Sequence, residues 1–236
     1  VQTIVFWHFN KYNPVEVEYM SIRAILFDLD GVIVDTAKYH YLAWRRLAQE
    51  LGFEFTEKDN ERLKGVSRMR SLEILLEVGG LLGKFSEEEM NRMAEKKNNW
   101  YVEYITKMDE SEILKGTLDC LKGFRALGLK TALGSASKNA RLILDNLKLV
   151  PYFDAIIDGT KTSKAKPDPE VFLLGAQALG VSPEECVVFE DAQAGIEAAK
   201  SAGMKAIAVG RPEDLTGYDL IVKGLYEVNP AEIAKL

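Results

Sequence analysis

Four short stretches of this chain carry residue types suited to handling a phosphoryl group. They are Asp28-Leu29-Asp30-Gly31, Ser135-Ala136-Ser137-Lys138-Asn139, the cationic run Lys161-Thr162-Ser163-Lys164-Ala165-Lys166-Pro167, and Glu190-Asp191. A carboxylate is already ionised at neutral pH and can attack phosphorus without first losing a proton. The acyl phosphate that results is labile, so the group can be handed on. A second carboxyl two residues away can serve as general acid and base for the leaving or arriving hydroxyl. Hard oxygen ligands on separate segments suit magnesium, which takes a few carboxylates together with water and phosphate oxygens. Lysine and hydroxyls converging on the same place suit the phosphoryl oxygens. The set amounts to a coherent apparatus for phosphoryl transfer. An isolated Asp after a strand is more often a cap or a turn residue, so the argument rests on the clusters acting together.

That condition depends on the elements that carry them. Residues 22–27 (IRAILF) form a short apolar run of β-formers that stops at the first acidic cluster. Residues 129–134, 155–158, 187–189 and 206–209 read as further strands, with a last short one at 220–222. Helical patterns at 118–127, 138–147, 169–179 and 192–202 alternate with them. Such alternation predicts a mostly parallel sheet covered on both faces, and ligands of such sheets gather outside the carboxyl ends of the strands. All four clusters follow strands. Between the first strand and the rest, residues 36–111 carry only helix signals. Thr36 or Asp35 can cap the first of these helices, over 37–51. A second spans 67–78. Ser86 with Glu89 three residues on is a capping-box pattern that opens a long helix to about 108. The expected fold is therefore α/β, a Rossmann-like parallel-sheet core (21–35 and 112–236) with an inserted α-helical cap (36–111).

The chain has 236 residues, 47% of them hydrophobic, enough to bury a sizeable core. Lys and Arg number 30 against 36 Asp and Glu, a net charge of −6. A mildly acidic protein has no broad basic face for nucleic acid, so an anionic substrate needs a local cationic site. Two cysteines far apart fit no metal spacing and point to a reduced, cytoplasmic compartment. No apolar run approaches the roughly 20 residues of a membrane helix. Residues 1–20 read as an extension, aromatic-rich and unlike a signal peptide. Met20 is then the natural start, or the extension is an added strand; no catalytic role is assigned to it.

The segment Asp28-Leu29-Asp30-Gly31-Val32-Ile33-Val34-Asp35-Thr36 resembles the nucleophile motif of the haloacid dehalogenase superfamily. Leu133-Gly134-Ser135 resembles its second motif, Lys166-Pro167 its third and Glu190-Asp191 its metal motif, all in order. The resemblance implies that Asp28 is the nucleophile and Asp30 the general acid/base. Magnesium would be held by Asp28, the backbone carbonyl of Asp30, Asp191 and Glu190, with Glu190 a direct ligand or a partner of one. Ser135 and Lys166 would bind the transferring phosphate. Gly134 departs from the Ala more usual there, a change expected to matter little.

The cap offers a second anion site. Leu63-Lys64-Gly65-Val66-Ser67-Arg68 brings two cations, a flexible Gly and a hydroxyl to a helix start. In an arbitrary sequence this would be a turn with solvated charges. Here Lys64, Gly65, Val66, Ser67, Arg68 and Ser71, with Thr36, His40 and Trp44 on the first helix, resemble the sugar-phosphate mutase branch of the superfamily. His40 and Trp44 lie one turn apart on one face. Ser135, Ala136, Ser137, Lys138 and Asn139 fit the same branch. Lys96-Lys97-Asn98 fits it too, with Lys97 as a sugar-phosphate contact against the ordinary reading of a solvated surface lysine.

The reaction implied is interconversion of β-D-glucose 1-phosphate and β-D-glucose 6-phosphate through phospho-Asp28 and a 1,6-bisphosphate, which also serves as activator. Arg68, Ser137 and Asn139 would hold the non-transferring phosphate, and His40 and Lys97 would orient the cap. The protein is expected to act as a monomer. The rival readings are a phosphatase of the same superfamily acting on a sugar phosphate or phosphoglycolate, and a non-catalytic sugar-phosphate binder. Intact Asp28, Asp30, Lys166 and Asp191 speak against the binder, which needs no nucleophile.

Overall fold

A computed structural model describes residues 22–63 and 66–236. The readings placed on residues 1–20, Lys64 and Gly65 lie outside the described residues.

Six parallel strands form one sheet in the order β3-β2-β1-β4-β5-β6. They are β1 (Ala24–Phe27), β2 (Lys130–Gly134), β3 (Ala155–Ile157), β4 (Cys186–Glu190), β5 (Lys205–Val209) and β6 (Leu220–Val222). The order reverses direction at β1, so the carboxyl ends of β1, β2 and β4 border the switch point where such sheets bind ligands. Strands buried on both faces need continuous apolar runs, and β1 is buried at every position. Alternate residues serve two layers. Ile25, Phe27, Leu133, Val187 and Phe189 face one cluster, where the Phe27 and Phe189 rings stack at 5.2 Å. Ala24, Leu26, Ala132, Val188, Ala206 and Ala208 face the other. Helices α5 (Thr117–Ala126) and α6 (Ala140–Asn146) contribute to the first layer. Helices α7 (Glu170–Leu179) and α8 (Gln193–Ser201) contribute to the second. The small residues of the second layer let α7 approach closely, and a Cβ on Gly175 would lie 2.7 Å from Leu26 Cδ2. A short α9 (Pro230–Ile233) closes the chain.

The inserted helices are α1 (Ala37–Glu50), α2 (Glu57–Glu61), α3 (Arg68–Val78) and α4 (Glu87–Ile105). Ser86 and Glu89 form the expected capping box on α4. A second box, Thr56 with Asp59, starts the five-residue α2. Trp44, Leu47 and Ala48 of α1, Leu72 and Leu75 of α3, and Trp100 and Tyr101 of α4 are buried together. The two connections to the core lie side by side. Leu114 N donates to Ile33 O at 3.0 Å, and Glu112 accepts from both Lys38 Nζ and Tyr39 OH at 2.6 Å. Among the described residues no helix is long and apolar enough to cross a membrane.

Three boundaries differ from the sequence reading in ways that bear on the site. Strand β4 runs on through Glu190, which pairs in register with Ala208 and is 1% exposed, so it is a core residue and not part of a turn. Helix α6 begins at Ala140, which leaves Ser137, Lys138 and Asn139 in a loop. Asp35, not Thr36, supplies the side-chain cap of α1, through Asp35 Oδ1 accepting from Ala37 N at 2.9 Å.

Candidate active site

The register of β1 with β4 ends at Phe27 beside Phe189, and Asp28 N donates to Phe189 O at 2.9 Å. This sets Asp28, just past the end of β1, next to the last residue of β4. The Asp28 carboxylate is buried, and Lys166 Nζ donates to its Oδ1 at 2.5 Å and to Glu190 Oε1 at 3.3 Å. Burial works against the Lys166 charge, but Asp28 and Glu190 outweigh it and hold the ammonium well above the usual lysine range. The ammonium also lies 4.8 Å from the Phe172 ring centroid. Phe172 packs against Cα of Gly134, where a Cβ would come within 2.9 Å of the ring. The Gly at this position thus makes room for the ring beneath Lys166.

Asp28, Glu190 and Asp191 each offer an oxygen within 4.8 Å of the others. Burial, then the Asp28 charge, drives the Glu190 carboxyl well above the ordinary range, and burial with Asp28 and Asp30 raises Asp191. Glu190 Oε2 is buried with no hydrogen-bond partner among the described residues. Three acids crowded around one lysine, one with an orphaned oxygen, fit a hard divalent cation. Two glycines shape this cradle. A Cβ on Gly195 would lie 1.6 Å from Glu190 Oε1, and one on Gly31, whose φ is +76°, would lie 2.0 Å from Asp191 Oδ2. Neither position admits a side chain while the carboxylates stay where they are.

The Asp30 carboxylate does not join this group. Thr36 Oγ1 donates to Asp30 Oδ1 in a short contact, and Tyr101 OH donates to Thr36 Oγ1 at 3.2 Å. Burial and the Asp28 charge raise Asp30 to about 7, against the lowering effect of the Thr36 hydrogen bonds. A carboxyl with that value can both give and take a proton near neutrality.

Beside it lies a second buried group. Lys97 is 2% exposed, so the solvated reading fails. Its Nζ lies 2.8 Å from His40 Nδ1, 4.6 Å from the Trp44 ring centroid and 4.9 Å from that of Tyr101. Burial, then Lys97 and Arg68, holds the His40 imidazolium form well out of reach at neutral pH. A neutral His40 that accepts from Lys97 at Nδ1 carries its proton on Nε2.

In the loop after β2, Ser135 is buried and its Oγ accepts from Ser137 N at 3.1 Å. Ser137 Oγ accepts from Asn139 N at 3.2 Å. Ala136 and Lys138 are exposed. Ser67 Oγ caps α3 by accepting from Arg70 N at 3.3 Å; Val66 beside it is exposed, and Ser71 is buried one turn on. Arg68 Nη2 donates to Asn98 Oδ1 at 2.8 Å, and Asn139 Nδ2 donates to the same oxygen at 3.2 Å. The cap arginine and the core asparagine therefore meet at Asn98, the neighbour of Lys97 on α4.

The cationic loop held two lysines, Lys161 and Lys164, to which the sequence reading gave no role. Only Lys166 turns into the site. Lys161 Nζ donates to Ile156 O at 2.5 Å, and Lys164 pairs with Asp168 at 3.1 Å. Lys161 thus satisfies a carbonyl of β3 and Lys164 an acid four residues on, and neither reaches Asp28. Tyr101 was missed. Tyr101 stands one helical turn after Lys97 on α4, a spacing that puts both on the face toward α1. Asn98 was marked only as part of the run Lys96-Lys97-Asn98, with no role of its own.

A doubly wound sheet with Asp28 at its switch point, Asp30 two residues on, and Lys166 and Asp191 brought in from later strands defines a class of enzyme. The chain matches the haloacid dehalogenase-like hydrolase family over residues 22–203 and belongs to it. It is 44% identical over 202 residues to the β-phosphoglucomutase of Bacillus subtilis, covering 86% of this chain and 89% of that one. The structure of β-phosphoglucomutase from Clostridium difficile superposes with a TM-score of 0.84 at 45% identity, over 90% of this chain and 97% of the other. A phosphorylated carbohydrates phosphatase of Thermotoga maritima is 35% identical over 191 residues, 79% of this chain and 84% of that one.

Proposed function

We propose that this chain is a phosphosugar mutase that interconverts β-D-glucose 1-phosphate and β-D-glucose 6-phosphate through a phospho-Asp28 enzyme and a 1,6-bisphosphate. The observation that carries the reading is a second anion-binding set, Arg68 and Asn139 joined at Asn98, in addition to Lys166 and Ser135 around Asp28. A phosphatase has to hold one phosphate; a mutase must grip a second that does not react. The similarity to two β-phosphoglucomutases at 44% and 45% identity supports it.

The steps follow from the residues. Asp28 attacks the phosphorus of the bisphosphate activator, the bond from phosphorus to the sugar oxygen breaks, and the Asp30 carboxyl gives that oxygen its proton. β-Glucose 1-phosphate then binds with its own phosphate at Arg68, Ser137 and Asn139, and its 6-hydroxyl toward phospho-Asp28. The Asp30 carboxylate takes the hydroxyl proton, the oxygen attacks phosphorus, and the Asp28 carboxylate leaves. The 1,6-bisphosphate turns over in the site, and Asp28 removes the 1-phosphate as Asp30 protonates O1. Lys166 and Ser135 offset charge on the moving group. Thr36 fixes Asp30, and His40 Nε2–H donates to a sugar hydroxyl with Lys97 behind it. Val66, Ser67 and the exposed Ala136 and Lys138 are the residues offered to the sugar, while the buried Trp44 backs Lys97 and the buried Ser71 lies on the turn after Ser67. Magnesium, held by Asp28, Asp191, Glu190 and the Asp30 carbonyl, would supply positive charge that lets an anionic nucleophile approach a phosphate. Residues 36–111 act as the cap that excludes water from the phosphoenzyme.

The test supplies β-glucose 1-phosphate with a 1,6-bisphosphate primer and follows glucose 6-phosphate and inorganic phosphate together. Glucose 6-phosphate in large excess is expected. Acid-quenched enzyme should carry the phosphoryl label on the Asp28 peptide, and Asp28→Asn should lose both label and product. Inorganic phosphate as the main product would establish the phosphatase instead.

A further inference from the structure

We infer that Asn98 is a positioning residue that fixes the donors of the non-transferring phosphate. The inference rests on the mutase reading and names a residue that the reaction scheme above leaves without a role.

Asn98 sits on α4, its side chain only partly buried. A single oxygen, Oδ1, accepts from two donors that arrive from different parts of the fold. Arg68 Nη2 comes from the start of α3, and Asn139 Nδ2 comes from the loop after β2. With a donor on each side of it, that atom must be the carbonyl oxygen, so the amide has one orientation. A guanidinium has five N–H groups and Arg68 uses one here; the Asn139 amide has two and uses one. The donors are thus aligned by a neutral acceptor and keep their remaining N–H groups for an anion. Unrestrained, an arginine side chain carries about 2 kcal/mol of rotamer entropy that phosphate binding would have to overcome. Asn98 removes part of that cost before the sugar phosphate arrives. The neutral amide is essential to the inference. A carboxylate at the same place would align the donors as well, but it would neutralise Arg68 and repel a phosphate dianion.

Two variants separate this role from that of a simple strut between cap and core. Asn98→Ala should lower kcat/KM for β-glucose 1-phosphate about 10- to 100-fold, the range for losing hydrogen bonds to a charged group. Most of the loss should appear in KM. Phosphorylation of Asp28 by acetyl phosphate, which has no second phosphate, should fall far less. Asn98→Asp keeps both hydrogen bonds and should lose at least as much with the sugar phosphate as the alanine variant. In an Arg68→Ala background, Asn98→Ala should add little, because its effect runs through Arg68. Recovery of wild-type turnover in Asn98→Asp, equal losses with both donors, or a full further loss in the Arg68→Ala background would each overturn the inference. If the wild-type enzyme makes no glucose 6-phosphate, the mutase reading fails, and this inference falls with it. That control separates the two failures, and thermal midpoints identify any variant that has lost its fold.

Discussion

Lys97 is a buried amine with no carboxylate partner among the described residues, and replacing it by Met should make the protein more stable at neutral pH. Its Nζ is enclosed by His40, Trp44 and Tyr101. Burial, then repulsion from Arg68, lowers it from 10.5 to about 7. For a base depressed in the folded state, the cost is fully present below the folded value, where both states hold the proton. It is relieved as pH rises toward 10.5, because over that interval the unfolded chain binds a proton that the native one does not. Each unit is worth about 1.4 kcal/mol, so a shift from 10.5 to about 7 sets a ceiling of about 5 kcal/mol. The two ring faces attract the cation and work the other way, by roughly 0.5–2 kcal/mol each.

The measurement is urea or thermal unfolding of wild type and Lys97→Met in parallel from pH 7 to pH 9. Below pH 7 the variant also releases His40, which Lys97 helps to hold neutral, so the lower limit matters. Groups common to both proteins, including Asp30, Cys120 and Cys186, cancel in the difference. The variant should be the more stable at pH 7. Its advantage should shrink by up to about 1.4 kcal/mol per pH unit as wild type gains stability with rising pH. In a chain of 236 residues that is roughly 2–4 °C of midpoint for each kcal/mol. A gap that stays constant across the range would mean Lys97 titrates as a solvated lysine and would refute the reasoning.

Two further outcomes follow from the site. Asp30→Asn should slow glucose 6-phosphate formation about 10²- to 10⁴-fold, the usual worth of a positioned acid and base, and turnover near wild type would remove Asp30 from the mechanism. Gly195→Ala forces a methyl to within 1.6 Å of Glu190 Oε1 and should push that carboxylate out of place. Titration of phosphoryl transfer with magnesium should then half-saturate about 10- to 100-fold higher, while an unchanged titration would show that the carboxylate relaxes without cost.

What could be read in advance was what neighbouring residues decide. A run such as Ala24–Phe27 can only be a strand buried on both faces, and Ser86 with Glu89 must start a helix. The polar ends of β1, β2 and β4 then follow, because parallel topology brings carboxyl ends together. Contacts between residues far apart in the chain were not legible. Lys161, Lys164 and Lys166 are alike in residue type, and only the resemblance of Lys166-Pro167 to a known motif singled out the one that reaches Asp28, 138 positions away. Thr36 looked equally able to cap α1, but Asp35 does so, and Thr36 is drawn to Asp30 beside it. Glu190 was placed just past a strand that was read as ending at 189, because charge is rare inside a central strand. It is tolerated there because Lys166 supplies a counter-charge and Gly195 supplies space.

The fold divides the work so that one stretch of α4 touches Arg68 and Asn139 of the proposed second phosphate site and reaches the acid/base through Thr36. Lys97 meets His40 of α1, and Asn98 meets Arg68 of α3 and Asn139 of the core. Tyr101 meets Thr36 at the connection between the first strand and α1, and through it Asp30. Residues 97, 98 and 101 project from the same stretch of a rigid helix, at the spacing that places i and i+4 on one face. A displacement of α4 large enough to break the Asn98 contacts, about one hydrogen-bond length, would also disturb the support of His40 and of Asp30. Binding of the remote phosphate can therefore favour the arrangement in which the acid/base is set, with no contact between the phosphate and Asp30. This is how binding energy at a group that does not react is applied to the one that does. It also explains why a donor without that second phosphate should engage Asp28 yet leave the cap side of the site unused.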